Sequence, residues 1–318
     1  MGSSSWSSDA FSHLSSSRAS APVDDVFTSN KTNAADKDML PKGVKFRESR
    51  DSLAHLNSLP VVVFLDETGS MGSIPVKFAV GDGDSAGKLG KLMDTLIKHG
   101  VADPQILFGG IGDHFSDDYP LQVGQFESGN VELDEWLTKL YLEGRGGCGE
   151  PQESYILAYY FAAHHTSLDS FEKRRQKGFL FTIGDEKSYN SVDAAKMKEL
   201  MGYPQASAID MKTVLAEARR MYHVFHIHVN TTGHKDSPVV LNYWRDTIGK
   251  QNLIILDDEN AVAETIATAV AVTLGSDMAS VTKDFDKITA GNVAKALAVI
   301  DKNTNVVASA SNGGVISL

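Results

Sequence analysis

The sequence predicts a doubly wound α/β domain, with a mainly parallel sheet and helices on both of its faces. Three observations favour this fold class. Several apolar runs, such as residues 61–65, are continuous rather than alternating, which is typical of strands buried on both faces. From about residue 58 to 275, these runs alternate with segments of helical periodicity. The first of these runs ends abruptly in the carboxylate of Asp66, and in an open α/β sheet ligands gather just beyond the carboxyl ends of the strands.

The apolar runs predict six strands, at residues 59–66, 105–113, 121–126, 178–183, 222–229 and 252–257. The segment 121–126 is bracketed by Pro120 and Gly129 and is predicted to be a short antiparallel strand at the edge of the sheet. The other five have the apolar character of buried strands. The whole pattern indicates a Rossmann-like sheet, in which ligands gather beyond the carboxyl ends of the strands.

Helical periodicity predicts seven helices in the domain, at residues 84–99, 133–142, 151–165, 191–200, 210–220, 239–247 and 260–274. The apolar residues of the first recur three or four positions apart; they are Leu89, Leu92, Met93, Leu96 and Ile97. Pro151 is tolerated in the first turn of the third. Either Ser191 or Asp193 is expected to cap the fourth.

The predicted domain organisation has three parts: a Ser-rich N-terminal arm (1–57), the α/β domain (58–275) and a C-terminal extension (276–318). Residues 1–21 are rich in serine, with Trp6 and Phe11 as isolated aromatic residues, which is typical of a flexible arm. A neighbouring subunit is a natural candidate to hold it. The extension has one predicted helix, at 290–300, and is expected to be a second arm.

The composition indicates which kinds of partner, and which cellular compartment, to expect. The net charge of −11 argues against a nucleic-acid backbone as the main partner, because such binding needs clustered Lys and Arg, and it favours cations and basic protein surfaces. Cys148 is the only cysteine, so no intramolecular disulfide can form. With the lack of a signal peptide, this indicates a reducing compartment: the cytoplasm, or the virion for a phage protein. No apolar run is long enough to predict a membrane span.

Three oxygen-bearing residues alternate in the loop that leaves the first predicted strand: Asp66, Thr68 and Ser70. A carboxylate and two hydroxyls offer only hard oxygen ligands, which suit Mg²⁺, or Mn²⁺ or Ca²⁺, rather than zinc or copper. The plainer alternative is a strand-to-helix turn in which Thr68 or Ser70 caps a helix.

The stretch Asp66-Glu67-Thr68-Gly69-Ser70 resembles the first motif, Asp-x-Ser-x-Ser, of the metal-ion-dependent adhesion site (MIDAS) of von Willebrand factor A (VWA) domains. Threonine replaces one serine and keeps the hydroxyl. The order of predicted elements from 58 to 275 is similar to that of the family, so the resemblance covers about two-thirds of the chain.

The resemblance implies ligands from two further loops. An Asp is expected after a later strand, and Asp185, at the end of the 178–183 strand, fits it. The second loop ordinarily supplies a threonine, but the Gly-rich segment 144–151 contains none. Glu150 or Glu153 is therefore expected to coordinate the ion directly or through water. Glycines followed by Pro-x-Glu-Ser are similar to the second loop of some bacterial and phage-type VWA proteins.

Other polar residues have two interpretations each. Asp113 and His114 end the second predicted strand and are expected to surround the ion in its second shell, although Asp113 could equally cap a turn. His226 and His228 share one face of a strand, as metal ligands or, in the interpretation we favour, as a packed pair.

The resemblance implies a non-enzymatic protein-binding module in which Mg²⁺ bridges to an acidic group on a protein partner, as part of a bacterial or phage assembly joined through the arms. The main alternative is an adaptor subunit for an AAA+ ATPase of the MoxR or chelatase type. A metal-dependent hydrolase that uses Asp185 and Glu186 lacks an evident nucleophile or base. A purely structural protein would assemble through its arms without an ion.

Overall fold

Twelve strands occur in the computed structural model, which describes residues 5–69, 71, 73–80, 87–144, 152–205 and 207–311. They are β1 (Arg47–Ser49), β2 (Ser58–Asp66), β3 (Asp103–Ile111), β4 (Leu121–Val123), β5 (Gln152–Glu153), β6 (Thr166–Leu168), β7 (Gly178–Gly184), β8 (Lys187–Ser188), β9 (Ser191–Val192), β10 (Ile209–Asp210), β11 (Tyr222–Val229) and β12 (Leu253–Leu256).

The central sheet has six strands in the order β12-β11-β7-β2-β3-β4. All neighbours are parallel except β3 and β4, which pair antiparallel at one edge. This confirms the doubly wound α/β fold with a short antiparallel edge strand. From β2 the chain builds outward to β3 and β4 on one side and, later, to β7, β11 and β12 on the other. The carboxyl ends of β2 and β7 therefore flank the switch point where such sheets bind ligands.

The described helices in chain order are α1 (Ser8–Ser16), α2 (Val23–Val26), α3 (Ser73–Ala79), α4 (Lys88–Lys98), α5 (Asn130–Thr138), α6 (Tyr155–His164), α7 (Asp169–Arg174), α8 (Ala194–Met201), α9 (Met211–Met221), α10 (Pro238–Ile248), α11 (Val262–Thr273), α12 (Met278–Thr282) and α13 (Lys287–Ser311). Four short 3₁₀ helices lie at Thr28–Thr32, Lys37–Met39, Lys250–Asn252 and Glu259–Ala261. Within the described part of the chain, no helix has the length and apolar character needed to cross a membrane.

Helices cover both faces of the sheet, which explains the unbroken apolar run of β2. Val63 and Leu65 join one core with α4, α5, α11 and α13, whereas Val62 and Phe64 join the other with α6, α8, α9 and α10. All nine residues of β2 are buried. A strand that faces two cores has no position left for a solvent-exposed polar side chain.

Several helix boundaries differ from the predicted ones. The helix α6 begins at Tyr155 rather than 151, because Gln152–Glu153 pairs as β5 with β8. The helix α3 was not predicted; it is only seven residues long and contains Pro75. Asp193, and not Ser191, caps α8, since its side chain accepts from the backbone N–H of Lys196.

Residues 5–57 lie against the α/β domain rather than extending from it as the flexible arm expected from their composition. Phe11, Phe27 and Met39 are fully buried in one of the two cores. The indole N–H of Trp6 donates to Asp94 on α4 at 2.7 Å. A few large apolar side chains thus anchor a segment whose average composition is polar. The C-terminal helices α12 and α13 also pack on α11, and the boundaries at 57 and 275 stay predictions.

Candidate metal centre

The carboxyl edge of the sheet brings together three acidic segments that are far apart in the chain. Asp66 is the last residue of β2, and Asp185 directly follows β7, the neighbouring strand. The third segment is β5, in which Glu153 is paired with Ser188 of β8. Because β8 begins two residues after Asp185, this pairing fixes Glu153 beside the loop that leaves β7.

Asp66 is fully buried, and each of its carboxylate oxygens accepts a hydrogen bond. Oδ1 accepts from the backbone N–H of Thr68 at 2.9 Å and from its hydroxyl at 2.5 Å. Oδ2 accepts from the hydroxyl of Tyr155, also at 2.5 Å. Thr68 does not cap a helix, since its hydroxyl donates to Asp66 and α3 begins only at Ser73. The hydroxyl oxygen of Thr68 can still coordinate a cation through its lone pairs.

Gly184, the last residue of β7, makes room for this arrangement. A Cβ atom at position 184 would collide with the hydroxyl oxygen of Tyr155 and would lie 2.7 Å from Oδ2 of Asp66. Any larger residue would therefore displace one of the two groups. The apolar run 178–183 predicted a strand here, but the need for glycine depends on a side chain that comes from α6.

Two further acidic side chains lie at this edge, Glu153 and Glu186. Glu153 is fully buried, and neither of its carboxylate oxygens has a hydrogen-bond partner among the described residues. Oε1 of Glu186 lies 3.4 Å from Nε2 of His234, while Trp244 donates its indole N–H to the backbone carbonyl of Glu186 at 2.8 Å. Buried carboxylates without donors are costly, so Glu153 is the group at this edge that most needs a cation or a proton.

Burial and mutual repulsion shift the acidity of these groups in the same direction. Burial raises the pKa of Asp66, and the charge of Asp185 adds to this, although the hydrogen bonds that Asp66 accepts act in the opposite sense. Burial raises the pKa of Glu153, with Asp66 and Glu186 contributing. It also raises the pKa of Glu186 to about 8, with Asp66 and Asp185 contributing. The carboxylates therefore disfavour one another's charged form.

The donor set fits a hard divalent cation. Asp66, Asp185, Glu153 and the hydroxyl of Thr68 offer only oxygen atoms, the ligands that Mg²⁺, Mn²⁺ and Ca²⁺ prefer. In the described part of the chain, no three His, Cys, Asp or Glu side chains already converge on one point that could hold a metal. An ion would therefore need hydroxyl and water oxygens beside the carboxylates. Ser70 and Glu150, the other two predicted ligands, lie outside the described residues.

Asp113 caps a turn, one of its two predicted roles. Its Oδ1 accepts from the backbone N–H of Phe115 at 3.0 Å, and its Oδ2 accepts from the hydroxyl of Ser116 at 2.9 Å. His114 connects two loops, because its backbone N–H donates to the hydroxyl oxygen of Ser154 at 2.9 Å and its Nδ1 lies 2.8 Å from the same oxygen. The charge of Asp113 still adds to the raised pKa values of Glu153 and Glu186.

His226 and His228 are both fully buried, as a packed strand pair would be. The ring of His226 stacks on Trp244 with centroids 3.6 Å apart, and its Nδ1 lies 2.9 Å from the hydroxyl oxygen of Thr182. Burial lowers the pKa of both histidines, which favours their neutral form.

One buried acid at this edge, Glu67, was not among the predicted site residues. Glu67 accepts a hydrogen bond from the side-chain amide of Gln122 at 2.6 Å, and a Cβ atom at Gly110 would collide with its carboxylate. Burial raises the pKa of Glu67 well above its ordinary value, and the charge of Asp66 adds to this. No local signal distinguishes Glu67 from a solvent-exposed loop residue, because its burial comes from β3 and β4.

No protein-family model matches this chain, and no curated protein matches it. Among solved structures, it is similar to the pilus adhesin SpaC from Lactobacillus rhamnosus GG in its open conformation, with 9% identity, a TM-score of 0.42 and coverage of 73% of this chain and 31% of the adhesin. It is also similar to proximal thread matrix protein 1 from the mussel byssus, with 8% identity, a TM-score of 0.41 and coverage of 68% of this chain and 46% of that protein.

A third similar structure is the SpRpn10 VWA domain, with 12% identity, a TM-score of 0.34 and coverage of 65% of this chain and 94% of that domain. The chain spans about a third of the length of the pilus adhesin. Likenesses with TM-scores below 0.5 do not bear on function. The fold class rests on the strand order of the central sheet.

Proposed function

We propose that this chain is a VWA-type protein-binding module whose carboxyl-edge site holds Mg²⁺, or Mn²⁺ or Ca²⁺, and binds an acidic group of a protein partner through that ion. One observation carries the proposal: Asp66, Asp185 and Glu153 all lie at the carboxyl edge beside the switch point of the sheet, and the carboxylate of Glu153 has no hydrogen-bond partner among the described residues. With the hydroxyl of Thr68, these residues would hold the ion. A bound divalent ion would balance their charge and offer a coordination position to the partner.

Protein binding rather than catalysis is supported by what surrounds the acids. Ser154 is fully buried and its hydroxyl already contacts His114, so this Ser–His pair is not accessible to a substrate. Phe115, which follows on the same loop, is 68% exposed although its ring packs on His114 and Tyr189 at centroid distances of 4.2 and 5.1 Å. Exposed aromatic side chains held in place beside a site are frequent anchors in protein interfaces.

The charge of the chain indicates the chemistry of the partner. With a net charge of −11, the protein repels acidic surfaces at long range and attracts basic ones. A partner that presents one carboxylate within a basic surface could coordinate the ion through that carboxylate. Its basic surface would be attracted by the negative charge of this chain. Assembly through the N-terminal arm has less support, because this chain's own α4 and core already contact residues 5–57.

A pull-down from the native host, with and without EDTA, tests the proposal. The wild-type chain should capture a partner in Mg²⁺ and release it in EDTA, and Asp66→Ala should capture none under either condition. Asp246→Ala, which removes an exposed carboxylate on α10, is the matched control and should behave as wild type. Capture that is equal with and without EDTA would contradict the metal-dependent mechanism. Capture of an ATPase whose hydrolysis depends on Asp66 would instead indicate the AAA+ adaptor.

A further inference from the structure

We propose that Tyr155 is a positioning residue of the candidate metal centre: its hydroxyl fixes the carboxylate of Asp66 in the orientation that binds the cation. The inference rests on the proposed function, since it concerns the same site. From the sequence, Tyr155 was predicted only to lie within the helix at 151–165. The structure places it at the first position of that helix, directly after β5 and Ser154.

The hydroxyl of Tyr155 completes the restraint of Asp66. Thr68 donates to Oδ1 through its backbone and its hydroxyl, and this alone leaves the second carboxylate oxygen without a donor. Tyr155 supplies that donor, at 2.5 Å from Oδ2. Hydrogen bonds from a hydroxyl to a carboxylate are short and strong. With one oxygen held by the Thr68 turn and the other by the phenol, the carboxyl group cannot rotate without breaking a bond in a buried site.

The ring of Tyr155 is itself held in place. It is fully buried and makes edge contacts with His226, at a centroid distance of 5.3 Å, and with Trp244, at 5.4 Å. Gly184 leaves the space that the hydroxyl occupies. Trp244 also donates to the backbone carbonyl of Glu186, which ties the same aromatic cluster to the loop that leaves β7. Tyr155 and Trp244 together therefore connect the loop of Asp66 to the loop of Asp185 and Glu186.

A group that only orients a metal ligand affects metal affinity through preorganisation. Loss of such an outer hydrogen bond typically lowers metal affinity about 10–100-fold. Without the phenol, Oδ2 of Asp66 would be a buried carboxylate oxygen with no donor among the described residues, and the carboxyl group would rotate or take up a proton. Both changes compete with cation binding. The expected signature is a large loss of affinity with a small change in stability.

Tyr159 provides a matched control one turn along α6. It is also fully buried, and its hydroxyl lies 2.7 Å from the hydroxyl oxygen of Thr182, away from the site carboxylates. Tyr155→Phe and Tyr159→Phe each remove one buried hydroxyl and leave the ring. Tyr159→Phe should lower the free energy of unfolding in EDTA by about 1 kcal/mol, and Tyr155→Phe by about 1–2 kcal/mol because it removes a donor from a buried carboxylate. Only Tyr155→Phe should weaken cation binding.

The experiment is calorimetric titration of the full chain with MgCl₂ and with MnCl₂, for wild type and both variants, together with urea denaturation in EDTA. We expect Mn²⁺ affinity to fall about 10–100-fold in Tyr155→Phe and to stay at the wild-type value in Tyr159→Phe. Wild-type affinity in Tyr155→Phe, or an equal loss in both variants, would overturn the role of Tyr155 while leaving the metal site in place. No binding of either ion by the wild type would overturn the proposed function, and the role of Tyr155 with it.

Discussion

Two regions at the carboxyl edge of the sheet shift the pKa values of their carboxylates in opposite directions. The candidate metal centre, between β2 and β7, gathers buried acids. The second region, the β11–β12 cleft, has a volume of about 570 Å³ and is lined by Asn230, Thr231, Lys235, Asp236, Asp257 and Lys295. Both follow the ends of parallel strands, so topology alone does not distinguish them.

The difference lies in what neutralises the acids. In the β11–β12 cleft, Nζ of Lys295 lies 2.5 Å from Asp257, and the side-chain amide of Asn230 donates to Asp257 at 2.7 Å and to Asp236 at 3.0 Å. The hydrogen bonds from Lys295 and Asn230 lower the pKa of Asp257. In the candidate metal centre, the pKa values of Asp66, Glu153 and Glu186 are raised instead. Acids that pair with donors of this chain stabilise its fold, whereas crowded buried acids favour the binding of an external cation.

The largest difference is expected when one acid is removed from each region. Asp66→Ala should lower Mg²⁺ and Mn²⁺ affinity on the order of 100-fold or more, because it removes a buried oxygen ligand. Asp257→Ala should leave both affinities unchanged. Calorimetric titration of the two variants makes the comparison. If Asp257→Ala no longer bound the ion while Asp66→Ala still did, the cation would bind in the β11–β12 cleft and the assignment of the site would be wrong.

Glu153→Gln separates metal binding from stability. The substitution removes a carboxylate whose oxygens have no described partner, so it should lower cation affinity by roughly tenfold or more. In EDTA at pH 8, the free energy of unfolding of the variant should be about 1 kcal/mol or more higher than that of wild type. Burial raises the pKa of Glu153, so the wild type must take up a proton on folding, whereas glutamine is neutral in both states. Urea denaturation measures the second effect. A variant that is both less stable in EDTA and unchanged in affinity would show that Glu153 has a purely structural role.

The pH dependence of stability should differ between the two regions. The folded-state pKa of Glu186 is raised from 4.5 to about 8, so its contribution to stability is present below pH 4.5 and is lost as the pH rises through 8. In EDTA, Glu186→Gln should therefore remove a decrease in unfolding free energy of a few kcal/mol across this range. This is less than the roughly 5 kcal/mol of the full shift because the side chain is partly solvated. The lowered pKa of Asp257 acts in the opposite sense, since its contribution is lost as the pH falls. Equal pH profiles for wild type and Glu186→Gln would refute the effect.

The smallest effect is expected from Lys295→Ala in the β11–β12 cleft. The side chain of Lys295 is 74% exposed, so its ion pair with Asp257 is screened by solvent. Its loss should lower the free energy of unfolding only slightly, with less effect at high salt, and should not alter cation affinity. Thermal denaturation at two salt concentrations checks this.

The sheet, and the position of two candidate site residues at its carboxyl edge, could be predicted because their signals are local. A continuous apolar run that ends in Asp66, and another that ends before Asp185, are visible in the sequence, and parallel topology brings such ends together. Tyr155 could not be assigned in this way, since its hydroxyl contacts a residue 89 positions earlier. The need for glycine at 184 and the packing of Phe11 likewise depend on side chains from distant parts of the chain.

The most direct measurement is calorimetric titration of the wild-type chain with MgCl₂ at pH 8, in two buffers that differ in ionisation enthalpy. Because burial and neighbouring charges keep protons on acids such as Glu153 and Glu186, cation binding should release protons, and the observed heat should change with the buffer. Saturable binding with net proton release is the predicted result. The absence of binding, with both MgCl₂ and MnCl₂, would contradict a metal-dependent function at this site.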